Sequence, residues 1–274
     1  NGIAVVIFLA QIKDFFGLQI DNLPAEFFHR VKTLAAYAHT VDLPTLGLAT
    51  ACFVFLLSYN KLAQKIAVLR RAPGPLAVLV VGTLVAWLFE LPVETIGSRF
   101  NGIPQELPAF GLPDLSIHDL GKLISPAITI ALLGAIESLL SARVADSQID
   151  DRHDPNQELI AQGLSNIAAP FFGGFAATGA IARTTTNVKT GGRTPIAGII
   201  HALVLLAIVL VAAPLASYVP LATLSAIVMV VAINMGEWHE FAELTRYSYN
   251  YRIILLATFF VTVLFDLTIA VELG

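Results

Sequence analysis

Apolar runs of membrane-crossing length alternate with polar turns along this chain. Residues 2–19, 44–59, 74–91, 119–145, 195–215, 219–234 and 253–272 each predict a helical span. A shorter amphipathic span to about residue 169 starts at Asp154-Pro155-Asn156-Gln157, which supplies an N-cap, a proline at the first helical position and a capping-box glutamine. The polar intervals have their own patterns. Residues 20–42 predict a linker with a short amphipathic helix, AEFFHRVKTLAAYAHTV. Residues 61–73 form a basic loop, 92–117 a proline-rich, strand-like loop with Pro104, Pro108 and Pro113, and 236–252 an amphipathic surface helix or linker.

The stretch 171–193, FFGGFAATGAIARTTTNVKTGGR, breaks the alternation. Its apolar part is too short to cross a bilayer as one helix. Gly173 and Gly174 favour irregular backbone, and Gly179 permits another group to come close. Thr178 is the expected N-cap, with a helix to about Lys189 that stops at Gly191-Gly192. The pattern therefore predicts a discontinuous half-helix whose N-terminus lies deep in the membrane. Non-helical backbone is tolerated there only beside protein or a watery cavity, and such interruptions mark binding sites in secondary transporters. The amide end of a half-helix carries partial positive charge and suits an anion.

Composition fixes the class as an all-α polytopic membrane protein: 56% hydrophobic, 13% charged, mean hydropathy +0.76 over 274 residues. The net charge of −4 matters less than its distribution. If the loop 61–73 is cytoplasmic, that side receives ten basic residues: Lys61, Lys65, Arg70, Arg71, Arg143, Arg152, Lys189, Arg193, Arg246 and Arg252. The other side holds five: Lys13, Arg30, Lys32, Arg99 and Lys122. This asymmetry fits a positive-inside orientation. Cys52 is the only cysteine, so neither a disulfide framework nor a cysteine metal site is available. No signal peptide is visible, and a chain that starts without methionine and ends inside an apolar run is expected to be part of a longer protein.

Glu137 lies in the middle of an apolar span, where an ionisable group is a functional candidate by default. Ser141 is one turn on, on the same helical face. The pair can serve as oxygen ligands for Na⁺ with backbone carbonyls, or the carboxyl can carry a proton, as burial favours its neutral form. The structural alternative is a carboxylate paired with Arg183 or capping the half-helix. Arg183, one turn into that half-helix, has three open roles: a fork for a carboxylate substrate, a partner for Glu137, or a snorkelling surface cation. The amides of Thr178, Gly179 and Ala180, with Ile181 next, are the preferred anion contact. Asp266 is equally open to structure or function. Gln11, Asn166, Asn187 and His201 are expected to be structural. His239-Glu240 lacks the second histidine of a zinc-protease motif, and no phosphate loop ending in Lys-Ser/Thr is present. These absences leave no enzyme, cofactor or metal site to expect.

Four stretches carry a family resemblance: GIAVVIFLAQIKDFFGL, LLGAIESLLSARVAD, NQELIAQGLSNIAAPFFGGFAATGAIARTTTNVKTGGRTPIAG and PLATLSAIVMVVAINM. With them the chain resembles the sulfate permease (SulP) family of anion transporters, which includes mammalian anion exchangers and the motor protein prestin. GAIESLL and the AIAR segment look most like bacterial members that carry C4-dicarboxylates with protons. Cyanobacterial bicarbonate relatives look similar but have Asp and Thr where this chain has Glu137 and Ser141, which favours protons over Na⁺. The resemblance implies fourteen segments in two inverted repeats of seven, with a core domain moving against a gate domain. On that mapping residues 1–92 are gate segments of the first repeat, 93–117 an extracellular loop, 118–217 core segments and 218–274 gate segments of the second repeat. The family's third segment, whose half-helix faces Thr178-Gly179-Ala180, and the cytoplasmic STAS domain would lie elsewhere in the parent protein. Implied partners are a small anion, a coupling proton or Na⁺, the lipid bilayer and a second copy in a homodimer, with no nucleic acid. The implied location is the bacterial inner membrane. Alternatives to dicarboxylate–proton symport are Na⁺- or H⁺-coupled bicarbonate or sulfate transport and, in another class, a non-transporting membrane motor or scaffold.

Overall fold

The computed structural model describes residues 1–65, 73–113, 117–236 and 238–265, and every regular element among them is helical. In order these are α1 (Gly2–Phe16), α2 (Phe27–Ala36), α3 (Leu43–Lys65), α4 (Gly74–Leu88), α5 (Ile96–Phe100), α6 (Ile117–Ile149), α7 (Pro155–Ala168), α8 (Ile181–Lys189), α9 (Ile196–Ala216), α10 (Leu221–Met235), α11 (Trp238–Ala242) and α12 (Tyr249–Leu264). Short 3₁₀ turns at Ala38–Thr40, Ala169–Phe172 and Leu244–Arg246 join some of them. Each apolar run contains a helix among its described residues. The last begins at Tyr249, earlier than the pattern suggested, because Ser248 accepts the Tyr251 N–H and caps it. Asp266 and the end of that span lie outside the described residues, as do Arg70 and Arg71 of the basic loop.

The loop 92–117 is not strand-like. Its described part contains α5, closed by a reciprocal box in which Thr95 Oγ1 accepts the Ser98 N–H and Ser98 Oγ accepts the Thr95 N–H. Extended pairing among the described residues is limited to one bridge between Thr95 and Pro220. Pro104, Pro108 and Pro113 have no N–H to offer a ladder, and local capping wins over strand formation.

The chain divides into two compact units. The first comprises Asn1–Pro104 with Val211–Gly274. Its centre is α10, which packs on α1, α3 and α4 and buries Ala222, Thr223, Ser225, Ala226, Met229 and Val230. Small residues let helices approach closely, the main route to association where lipid is as apolar as the side chains. One such close approach is at Gly82 of α4. A Cβ there would sit 2.5 Å from Thr223 Oγ1 and 3.0 Å from Cys52 Sγ. Gly82→Leu is expected to destabilise this unit by about 3 kcal/mol through overpacking. Thermal melting of the detergent-solubilised protein checks this, and an unchanged midpoint would show that α4 and α10 can separate freely.

The second unit comprises Gln105–Leu210. It holds α6, α7, α8 and most of α9. Within α6, Gly121–Ile149 has mean hydropathy 1.9 with 11% of its most apolar window buried, and α9 has 2.8 with 6%. Apolar surface on that scale requires lipid or further protein as cover. The turn from α6 into α7 is closed by Asp146, which accepts the His153 N–H and pairs with its Nδ1 at 2.7 Å. Asp154 then caps α7 through the N–H groups of Asn156 and Gln157.

Candidate functional site

The stretch 171–193 is discontinuous. After the 3₁₀ turn Ala169–Phe172, Gly173 adopts the left-handed conformation (φ +68°) and its N–H closes the turn on Pro170 O. The chain then has no regular structure from 174 to 180, is extended at Ala180 (φ −118°, ψ 119°), and enters α8 at Ile181. At nine residues, α8 is about 14 Å long, roughly half the hydrocarbon thickness. It ends at Lys189 with Thr190 as its C-cap, followed by Gly191 at φ +100°, as its glycines predict.

The helix starts two residues later than the sequence suggests. Thr178 is not the N-cap. Its hydroxyl donates instead to Gly134 O of α6 at 2.8 Å. The N-cap position falls to Ala180, whose side chain has no oxygen to accept an amide. The first helical bond is Thr184 N–H to Ala180 O. The N–H groups of Ile181, Ala182 and Arg183 therefore have no acceptor within α8. Among the described residues no side-chain hydrogen bond caps the positive end of this half-helix, which is the arrangement an anion would complete.

Five hydrogen bonds place that end against α6 and α7. Asn166 of α7 donates to Ala177 O (2.9 Å) and accepts the Ala177 N–H (2.8 Å), while Gln162 donates to the same carbonyl (2.6 Å). Thr178 is fixed to α6 as described. Ser141 Oγ and Thr184 Oγ1 are hydrogen-bonded at 2.7 Å, joining α6 to α8. Gly179 rests on α6 between Ser138 and Ser141: a Cβ at this position would lie 3.5 Å from the Ser141 side chain and 3.7 Å from Ser138 Cα. The close approach expected of Gly179 is thus to a helix. Behind the irregular segment, Phe110 stacks on Phe171 with ring centroids 5.7 Å apart, and Gly111 donates to Phe171 O.

Glu137 is exposed on α6, and among the described residues its carboxylate has no hydrogen-bond or ion-pair partner. One alternative is not adopted and one expectation is corrected here. Glu137 does not pair with Arg183, which is also exposed and, among the described residues, free of an ion pair. Ser141 does not hold the Glu137 carboxyl either. It is buried, at 3% exposure, and engaged with Thr184. An i, i+4 spacing puts both residues on one side of the helix, but Ser141 turns into the α6–α8 contact while Glu137 stays outside it. Sequence reasoning missed another buried hydroxyl of α6, Ser138, which donates to Glu158 of α7. It also placed Asn166 only as a general interhelical bond. The available signal was the amide pair Gln162 and Asn166, one turn apart on α7 and facing a glycine-rich stretch.

The first unit holds a polar cavity of about 720 Å³ lined by Lys13, Asp14, Asp42, Glu94 and Arg99 among others. Its charges are largely committed. Arg99 bonds to Asp14 at 2.6 Å and to Glu94, and Asp42 accepts the N–H and the hydroxyl of Thr45. Burial alone would pull the Arg99 guanidinium down, but its bonds to Asp14 and Glu94 outweigh that and hold it above its ordinary value. Among the described residues no cluster of His, Cys, Asp and Glu is set to hold a metal.

With the geometry in place, comparison with known proteins decides the family. The model of the sulfate permease family matches residues 1–258. The chain belongs to the sulfate permease family. A putative sulfate transporter of Bacillus subtilis, YvdB, is 44% identical over the whole chain and 51% of its own length. The bicarbonate transporter BicA of Picosynechococcus is 35% identical over the whole chain and 47% of its own length. The chain thus spans about half the length of these curated relatives. The solved transmembrane domain of a cyanobacterial BicA superposes with a TM-score of 0.81 at 31% identity, covering 98% of this chain and 66% of that one. Murine Slc26a9, described as an anion transporter in the inward-facing state, shares the fold: TM-score 0.82, 22% identity, 100% of this chain and 44% of that one. The family is one of multi-pass membrane permeases rather than enzymes, and the helices described above are part of its transmembrane fold.

Proposed function

We propose that the full-length protein is a secondary active transporter of a small oxyanion, with the N-terminus of α8 as its anion seat. The carrying observation is the amide end of α8, where the N-cap Ala180 supplies no side-chain cap, delivered by an irregular segment tied to both α6 and α7. The Gly179 and Ala180 backbone completes the seat, Thr178 anchors it, and Arg183 adds a cation one turn in. Backbone amides read charge and size more than shape, so the relatives guide the choice of anion. Their names favour sulfate or bicarbonate, while a C4-dicarboxylate rests only on GAIESLL and the AIAR segment.

Glu137 is the coupling residue of this reading. An unpaired carboxylate at mid-span must be compensated by a proton, a cation or water, and the first two can be exchanged during a cycle. Ser141 contributes indirectly. Its bond to Thr184 joins the helix of Glu137 to the helix of the anion seat, so a change at one is felt at the other. The two units support a division into a core (Gln105–Leu210) and a gate (Asn1–Pro104 with Val211–Gly274). The proposed setting is a homodimer in the bacterial inner membrane, with a STAS domain elsewhere in the protein. The test is uptake of labelled sulfate, bicarbonate and succinate into proteoliposomes of the full-length protein, first with an inward proton gradient and then with an inward Na⁺ gradient. Sulfate or bicarbonate accumulation driven by protons is expected. A protein that moves none of the three under either gradient is not this transporter.

A further inference from the structure

We infer that Asn166 is a positioning residue for the anion seat, acting through the backbone of Ala177; this rests on the reading of α8 as that seat. The segment 174–180 has no regular structure and so no ladder of its own, and outside partners set its course. Asn166 binds both backbone groups of Ala177, donating to the carbonyl at 2.9 Å and accepting the N–H at 2.8 Å. A neighbouring strand would do the same, and here one side chain replaces it. Gln162, one turn earlier on α7, adds a second donor to that carbonyl at 2.6 Å. The next residue, Thr178, is bound to α6 through Gly134 O. Only Gly179 and Ala180 then separate these fixed points from the first amide of α8.

The chemistry requires a carboxamide. Asparagine offers a donor and an acceptor on one planar group, which matches the C=O and N–H of a single residue. Aspartate keeps the acceptor but sets a negative charge against the Ala177 carbonyl. Leucine keeps neither. Because the bracket belongs to α7 and the Thr178 bond to α6, the seat takes its position from both helices. Asn166 itself need not touch the anion. Its expected effect is on how well the seat is formed, and hence on affinity, while turnover of the loaded carrier is little changed.

The test uses the full-length protein in proteoliposomes, with initial uptake of sulfate and bicarbonate measured against concentration. Asn166→Asp is expected to raise KM about tenfold, the scale of one lost hydrogen bond with a carbonyl left facing a charge. The maximal rate and the melting midpoint in detergent should stay close to those of the parent. Gln162→Leu should raise KM less, and the double variant should fall short of the product of the two effects, since both side chains serve one carbonyl. An unchanged KM in Asn166→Asp overturns the inference. So does a loss of maximal rate and melting midpoint together with KM, which would mark a residue needed only for folding. Amide exchange at Ala177 separates this from a failure of the transport reading. If the parent moves neither anion, the transport reading fails. Faster Ala177 exchange in Asn166→Leu would then still support the bracket, and unchanged exchange would reject it.

Discussion

Glu137→Gln in the full-length protein is expected to abolish accumulation of substrate against a gradient while leaving exchange of internal for external substrate intact. The glutamine mimics the protonated carboxyl in shape and neutrality, so the carrier can reorient as though loaded. It cannot release a proton or a cation, so the gradient no longer drives the cycle. The structure removes the main competing explanation, a permanent Glu137–Arg183 ion pair, because among the described residues neither side chain has an ion-pair partner. Loss of a purely structural carboxylate would lower exchange and accumulation together. Uptake under an imposed pH gradient, paired with counterflow of labelled substrate, distinguishes the two. Accumulation equal to that of the parent would remove Glu137 from the mechanism. A parent that responds only to Na⁺ would keep the residue and change the ion.

Substitutions at Gly179 should separate two side-chain sizes sharply. A Cβ at this position meets Ser141 at 3.5 Å and Ser138 Cα at 3.7 Å, which is ordinary van der Waals contact. Gly179→Ala should therefore retain anion affinity. Gly179→Leu carries its branched atoms beyond that point into α6, and the easiest response is for the segment leading into α8 to move away. That shift strains the Ser141–Thr184 and Thr178–Gly134 bonds and displaces the amides of Ile181, Ala182 and Arg183. A loss of about a hundredfold in anion affinity is expected, the scale on which a 1 Å misplacement acts in a preorganised site. Calorimetric titration of the purified variants checks this. Equal affinity in the leucine variant would mean that the anion binds elsewhere.

The spans were legible because each is a long apolar run, and a bilayer offers no other way to satisfy their backbone. The interruption was legible for the converse reason: Gly173, Gly174 and Gly179 fall within a stretch too short to cross. What stayed hidden were choices between local and distant partners. Thr178 reads as an N-cap, but its hydroxyl bonds to Gly134, 44 positions earlier, and the helix starts without it. Ser141 sits one turn from Glu137, but Thr184 of another helix competes for its hydroxyl. Asn166 looks like any interhelical amide until the irregular segment is seen to lie along it. In the loop 92–117 the prolines suggested extended chain, and the Thr95–Ser98 box made a helical turn. In each case the residue type was informative, and the partner depended on packing that periodicity does not encode.

Amide hydrogen exchange of the full-length protein, followed residue by residue across 174–190 with and without saturating sulfate or bicarbonate, tests the anion seat most directly. Ile181, Ala182 and Arg183 have N–H groups with no helical acceptor, so they should exchange readily in the free protein and slow markedly when the transported anion accepts them. Slowing at these three amides, lost in Gly179→Leu, is the expected result. Unchanged exchange at all three, with protection by the anion appearing elsewhere in the protein, would contradict an anion seat at the N-terminus of α8.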